Sequence, residues 1–385
     1  MRLLGDGLRR RFSAARLALC VILVAAVIGV LPTPGEAEGV ITHDAIVQRA
    51  IDLIDTKNYP GLADLLNDYP EVVNYGAMFP DWAYAMGDGN LAEVPHDTIA
   101  GQQGKVGPFR AALTANLLHS FRNPGSEEDR KAIAFLFGLI SHDDADTPYH
   151  FGDDTGPGLQ PLTQQAGIPH WAFELGSDLY LAPTLTYGAE WFLPEKALLT
   201  AYQTLDPNNV YHMNAAKLRF GRAAHQAQYT LEKAAAVVVD PSLVVETEDG
   251  REKLKQFFAL MESYTPGGLE HCAGRTAREW QKTWDWLSTY TPVTTISLSP
   301  AQPDSDDGAY RQPVTVTLSA TDNFDGLIAT GPFETMYSLD GGSTYQAYTA
   351  PFVIDSKGVH HISVYSVDSL GISEPVRNLT LNIGD

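Results

Sequence analysis

The spacing of apolar positions changes once along this chain. From about Glu38 to Tyr290 apolar residues recur at helical intervals; beyond that point they alternate with polar ones. THDAIVQRAIDLI (42–54) reads as an amphipathic helix with Thr42 at its N-cap. YPGLADLLNDYPEVV reads as a short helix bounded by prolines, and FRAALTANLLHSFRN (109–123) as a strongly amphipathic one. NPGSEEDRKAIAFLFGLISHDDAD opens a helix after a Pro-Gly turn, and its AIAFLFGLI run has the look of core. Further helices are predicted near 164–182, 195–204 and 212–237, and KLKQFFALMESY and AREWQKTWDWLSTY close the region.

After TYTPVTT (289–295), a linker, the segments TTISLSP, PVTVTLSATD, ETMYSLDGG, YQAYTAPFVI, HHISVYSVDS and RNLTLNI alternate with period two between Gly, Asp, Asn, Ser and Pro turns. They predict an antiparallel sandwich of roughly 90 residues. The fold class expected is therefore multidomain: an all-α domain over 38–290 followed by an all-β sandwich over 291–385. In the second part, SATDNFDG lacks the twelve-residue calcium-loop pattern and reads as a turn. His360 and His361 point to opposite faces of a strand.

The first 37 residues form a separate element. MRLLGDGLRRRFSAAR is basic, LALCVILVAAVIGVL (17–31) is apolar, and LPTPGEA ends in Ala37, so residues 1–37 read as a secretory signal peptide cleaved after Ala37. Cys20 leaves with it, and Cys272 is then the single cysteine, so core burial and metal must supply the stability that disulfides give other exported proteins. The expected location is secreted, periplasmic or at the cell surface.

Charge narrows the partners. The 385-residue chain carries a formal net charge of −21, and its leader holds five Arg against two acids. Such a surface does not hold nucleic acid or anionic membrane by basic residues. A metal site still supplies a local positive spot.

The candidate chemistry lies in SHDDADTPYH and PHWAFELGSD. His142, Asp146 and His150 are four apart, so a helix places all three on one face, with a distorted last turn at Pro148. His170 and Glu174 repeat the spacing, and Asp178 follows four further on. Imidazole and carboxylate are the set zinc accepts. His43, Asp81 in MFPDWAYAM and His96 in VPHDT are further candidates. Each also has a plain reading, as a polar helix end, a turn aspartate or a loop histidine. Asp178 is either a partner that orients a ligand or a continuation of that helix face. Asp143 and Asp144 read as solvated helix-end charges. His119, His212, His225 and His271 read as surface or core histidines. Trp82, Tyr84, Tyr149 and Trp171 flank the candidates, as core packing or as aromatic walls for a cationic head group. No Gly-x-Ser-x-Gly nucleophile motif is present.

In order and context, GVITHDAIVQRAIDLI, FPDWAY, HDT, SHDDADTPYH and PHWAFELGSD resemble the zinc-dependent phospholipase C/D family: bacterial zinc phospholipase C and the N-terminal domain of glycosylphosphatidylinositol-specific phospholipase D. The resemblance covers about residues 39–240. It implies an all-α domain around two or three zinc ions. By position, Asp81, His96, His142 and Asp146 hold one ion, and His150, His170 and Glu174 a second. His43 with Asp146 helps hold a third, where the bacterial enzymes use an N-terminal Trp; cleavage after Ala37 would put Glu38 at that position. Asp81 orients or deprotonates the attacking water. The β region resembles immunoglobulin-like modules appended to secreted and surface proteins.

The function this implies is a secreted zinc phosphodiesterase acting on phospholipids or lipid-linked phosphodiesters, touching the membrane surface transiently. Its C-terminal module would serve for spacing or binding a cell-surface component. A single-strand-specific zinc nuclease and a non-catalytic, metal-stabilised surface module are the alternatives. The acidic surface fits nucleic acid poorly, and near-complete retention of the ligand types argues against a non-catalytic module.

Overall fold

The computed structural model describes residues 39–96, 107–305, 308–322, 333–369 and 371–384. The leader expected at 1–37 and residues 323–326 of SATDNFDG lie outside them, while Ser319–Asp322, expected in a turn, end a strand. The chain divides into two compact units, after Trp284 and from Asp285 onward.

The first unit is helical. Its helices are α1 (Val40–Asp52), α2 (Pro60–Asp68), α3 (Pro70–Met78), α4 (Gly89–His96), α5 (Pro108–Arg122), α6 (Glu127–His150), α7 (Leu159–Gln165), α8 (His170–Leu181), α9 (Glu195–Leu205), α10 (Ala215–Ala236), α11 (Glu248–Ser263) and, up to Trp284, α12 (Leu269–Thr289). A 3-10 segment, Phe79–Met86, follows α3, and a small hairpin, β1 (Gly152–Asp153) with β2 (Gly156–Pro157), follows α6.

α6 organises the unit. Ser126 caps it, its Oγ accepting the Asp129 N–H at 3.1 Å, and Glu127, Glu128 and Asp129 set negative charge against the helix N-terminus. Every residue from Ala132 to His142 is buried. A helix without a polar face must be enclosed on all sides, and each fully buried Leu or Phe there contributes about 1.5–3 kcal/mol. α3 crosses it closely. A Cβ on Gly138 would lie 2.1 Å from the Val73 carbonyl oxygen, and one on Gly76 would lie 2.2 Å from that of Phe135. On another side α12 is fastened by the Trp280 indole N–H, which donates to the Phe137 carbonyl at 2.6 Å. Cys272, buried and in no disulfide, lies on the same helix.

Three local expectations change. α1 begins at Val40 with Gly39 at its N-cap, and Thr42 lies inside the first turn. YPGLADLLNDYPEVV forms two helices, because Pro60 and Pro70 each start one at a position whose N–H has no helical partner. α6 continues through Pro148 to His150, so the full eight-residue ligand spacing stays helical.

The second unit contains two antiparallel sheets. One has the order β3 (Pro292–Ser299), β4 (Val314–Asp322), β7 (Phe352–Ile354). The other has the order β6 (Gln346–Ala347), β5 (Glu334–Ser338), β8 (Gly358–Val367), β9 (Arg377–Ile383). Val314, Val316 and Leu318 alternate along β4, and they share one core with Ile362, Val364, Leu381 and Ile383 of the other sheet. An α region followed by a β region is the arrangement the hydrophobic periods predict.

Candidate metal centre

The structure gathers the candidate residues from α1, the 3-10 segment, α4, α6 and α8. Ligand-type atoms form two groups, each within 4.8 Å: His43, Asp81 and His142, and His150, His170 and Glu174. The first group is buried, while His170 and Glu174 are partly open.

Local folding sets each side chain. α6 carries His142, Asp146 and His150 along one face. Asp81 is delivered by the 3-10 segment, whose Trp82 is fully buried and donates its indole N–H to the Tyr202 hydroxyl at 3.0 Å. α10 comes so close here that a Cβ on Gly221 would lie 2.0 Å from the Trp82 ring. Trp82 and Tyr149, possible aromatic walls by sequence, are fully buried core residues.

In the first group, the His43 and His142 rings stack with centroids 4.1 Å apart. His142 Nδ1 lies 2.8 Å from the Ala77 carbonyl oxygen. A carbonyl only accepts, so Nδ1 carries the proton and Nε2 presents its lone pair. Nε2 has no hydrogen-bond partner. Burial pushes the His43 and His142 imidazoles down to about 3, which keeps them neutral, the form that binds metal. His43 Nε2 is 3.7 Å from Asp81 Oδ2.

His96 behaves differently. Its Nδ1 faces the Ala92 carbonyl at 2.7 Å and its Nε2 faces Asp81 Oδ1 at 3.0 Å. Both partners accept, so both ring nitrogens donate. Burial opposes that charge, but Asp81 and Asp146 outweigh it and raise the imidazole to about 10.

In the second group, His170 Nε2 is 2.8 Å from Glu174 Oε1, one helical turn apart, and His150 Nε2 is 3.1 Å from Asp146 Oδ1. The Nδ1 atoms of His150 and His170 are buried without a hydrogen-bond partner. Unsatisfied buried polar atoms are costly in a native fold, and their convergence fits a bound cation. Burial lowers His170 to about 4. Asp146 lies between the groups. Burial works against its ionisation, but His150, His142 and His43 hold it well below the usual carboxylate range.

All eight sequence candidates thus meet in one region, but their grouping differs from the one implied by resemblance. His43 joins Asp81 and His142, and His96 is engaged with Asp81. Outside the site, His119 and His212 are exposed, whereas His225 is fully buried. His271 lies 3.3 Å from Asp153. Asp144 is not a solvated helix end. It faces buried Arg110, whose guanidinium also donates to Glu279 at 2.8 Å. Nothing in the spacing of Arg110, Asp144 and Glu279 signals that three-helix contact.

Two partly independent clusters of neutral imidazoles and carboxylates in a helical unit define a candidate multinuclear metal protein. Residues 42–227 match the zinc dependent phospholipase C family. The chain is 27% identical over 192 residues to phosphatidylinositol-glycan-specific phospholipase D of Dictyostelium discoideum, covering 46% of this chain and 19% of that protein. The human protein of the same description is 26% identical over 189 residues, covering 46% of this chain and 22% of its own length. The match therefore spans about a fifth of the curated relatives. Over this region the helical unit is similar to zinc dependent phospholipase C and to these phosphatidylinositol-glycan-specific phospholipases D.

Proposed function

We propose that this chain is an exported zinc-dependent phosphodiesterase that hydrolyses phospholipids or lipid-linked phosphodiesters. The observation that supports this most is the convergence of His43, Asp81 and His142 into one buried donor group, and of His150, His170 and Glu174 into a second, partly open one. Each group holds one ion in this reading; Asp146 completes the donor set, and His96 joins it once the metal displaces its Nε2 proton. When bound, zinc offsets the phosphoryl charge, lowers the pKa of water to about 7 and stabilises the leaving alkoxide. Asp81 orients the attacking water and takes its proton. His170 and Glu174, the less buried donors, lie on the side open to substrate. The C-terminal unit is an immunoglobulin-like module that spaces the enzyme from, or attaches it to, a surface component. Membrane contact in this reading is transient; no described helix is long and apolar enough to cross a membrane.

The relatives' description favours D-type cleavage, between phosphate and head group. The test is metal analysis of the purified protein with hydrolysis of phosphatidylcholine, phosphatidylinositol and single-stranded DNA, before and after chelation. Chelator-sensitive lipid cleavage releasing phosphatidic acid is expected. Diacylglycerol as product would reassign the bond, and cleavage of DNA alone would move the protein to the nuclease reading.

A further inference from the structure

The two residues flanking His43 are each tied to a different helix. Thr42 donates its backbone N–H and its hydroxyl to Asp178 Oδ1 of α8, at 2.8 and 2.9 Å. The Ile41 N–H also bonds to the Asp178 carboxylate. On the other side, the Tyr229 hydroxyl of α10 donates to Asp44 Oδ2 at 2.8 Å. Glu232, one turn after Tyr229, shares a side-chain hydrogen bond with Asp178 and closes the loop between α8 and α10. Thr42, His43, Asp44, Asp178 and Glu232 are all at most 2% exposed.

The arrangement is unusual for a helix start. Gly39 offers no capping side chain, and the first free N–H groups of α1 are satisfied by a carboxylate from another helix. That carboxylate also complements the α1 dipole. A Cβ on Gly39 would lie 2.3 Å from Asp178 Oδ1, so a residue without a side chain leaves room for the carboxylate. α8 also carries His170 and Glu174. One rigid helix therefore holds two donors of the second group and grips the turn that presents His43 to the first.

We propose that Asp178 and Tyr229 are positioning residues that clamp His43 from both sides, and that Asp178 mechanically links the two metal groups through α8. This rests on the zinc reading above. Partners that orient a metal-binding imidazole contribute about 10–100-fold in metal affinity.

The test titrates metal-free wild-type protein and the variants Thr42→Val, Asp178→Ala, Asp178→Asn and Tyr229→Phe with cobalt(II), followed by visible absorption, stoichiometry and melting. Thr42→Val and Tyr229→Phe each delete one hydroxyl donor and should leave the metal-free melting temperature within a few degrees. The expected result is two ions in the wild type. One ion should weaken at least about tenfold in Thr42→Val, Asp178→Ala and Tyr229→Phe, with the other nearly unchanged. Asp178→Asn, which retains an acceptor oxygen for Thr42, should recover most of the affinity. Wild-type affinities for both ions in all variants would overturn the clamp alone. So would equal weakening of both ions in step with lost stability. A wild type that takes up no metal would overturn the zinc reading and the clamp with it.

Discussion

His142 and Ala77 meet across the α3–α6 crossing, the imidazole Nδ1 lying 2.8 Å from the carbonyl oxygen. This one bond fixes the tautomer and aims Nε2 at His43 and Asp81. The carbonyl is available because Ala77 sits near the end of α3, where helical carbonyls lose their partners. The same crossing that packs the core therefore also sets a ligand's protonation.

The two donor groups should separate under mutation. His142→Ala is expected to remove the ion of the first group and His170→Ala that of the second, each lowering melting temperature because metal binding and folding are linked. Both should abolish hydrolysis. Metal analysis and calorimetry check this. Unchanged metal content and stability in both variants would sink the assignment.

Gly138→Ala tests the crossing. The added methyl would meet the Val73 carbonyl at 2.1 Å, and backbone cannot rotate away as a side chain can. The helices must part, at a cost of about 1–3 kcal/mol. Because the His142–Ala77 bond spans the same crossing, affinity for the first ion should fall together with stability in denaturant melts. Stability lost with metal affinity intact would mean that the crossing serves packing alone.

The ligand-bearing helices were legible because their signal is local. His142, Asp146 and His150, and His170 and Glu174, need only the 3.6-residue period to share a face. What holds them was not. Thr42 has the right residue type and position for an N-cap, but its partner is Asp178, 136 residues away in sequence. No local pattern encodes that pairing, and it shifts the helix start to Val40. Asp144 reads as solvated for the same reason, since Arg110 and Glu279 come from two other helices. The β region was legible as strands, because a period of two is local, while the order β6-β5-β8-β9 depends on pairings the period does not encode.

Arg110→Met should be strongly destabilising. It leaves Asp144 and Glu279 facing each other with their central cation removed, in a setting where the Arg110 side chain is only 7% exposed. Breaking a buried ion pair by removing one partner costs about 3–5 kcal/mol. Burial already pushes the Asp144 carboxyl up to about 6 against the pull of Arg110. A shift of less than roughly 1 kcal/mol in urea melts would show that water or other cations compensate.

His225 should account for a separable part of the acid sensitivity. This histidine is fully buried beside Tyr75 and Trp191, with ring centroids 6.1 and 5.8 Å away, and neither ring nitrogen has a hydrogen-bond partner. Burial lowers it from the ordinary 6.5 to about 3. Below 6.5 the unfolded chain takes up a proton that the folded chain refuses. Stability is therefore complete above that value and lost as pH falls towards 3, with a deficit on the order of 3 kcal/mol at pH 4. His225→Phe removes the titrating group while keeping an aromatic ring in the core. Its unfolding free energy should fall less steeply than that of the wild type between pH 6.5 and 4, measured on metal-free protein so that zinc release does not contribute. Parallel pH profiles for the two proteins would place the acid sensitivity in the carboxylates and the other buried imidazoles.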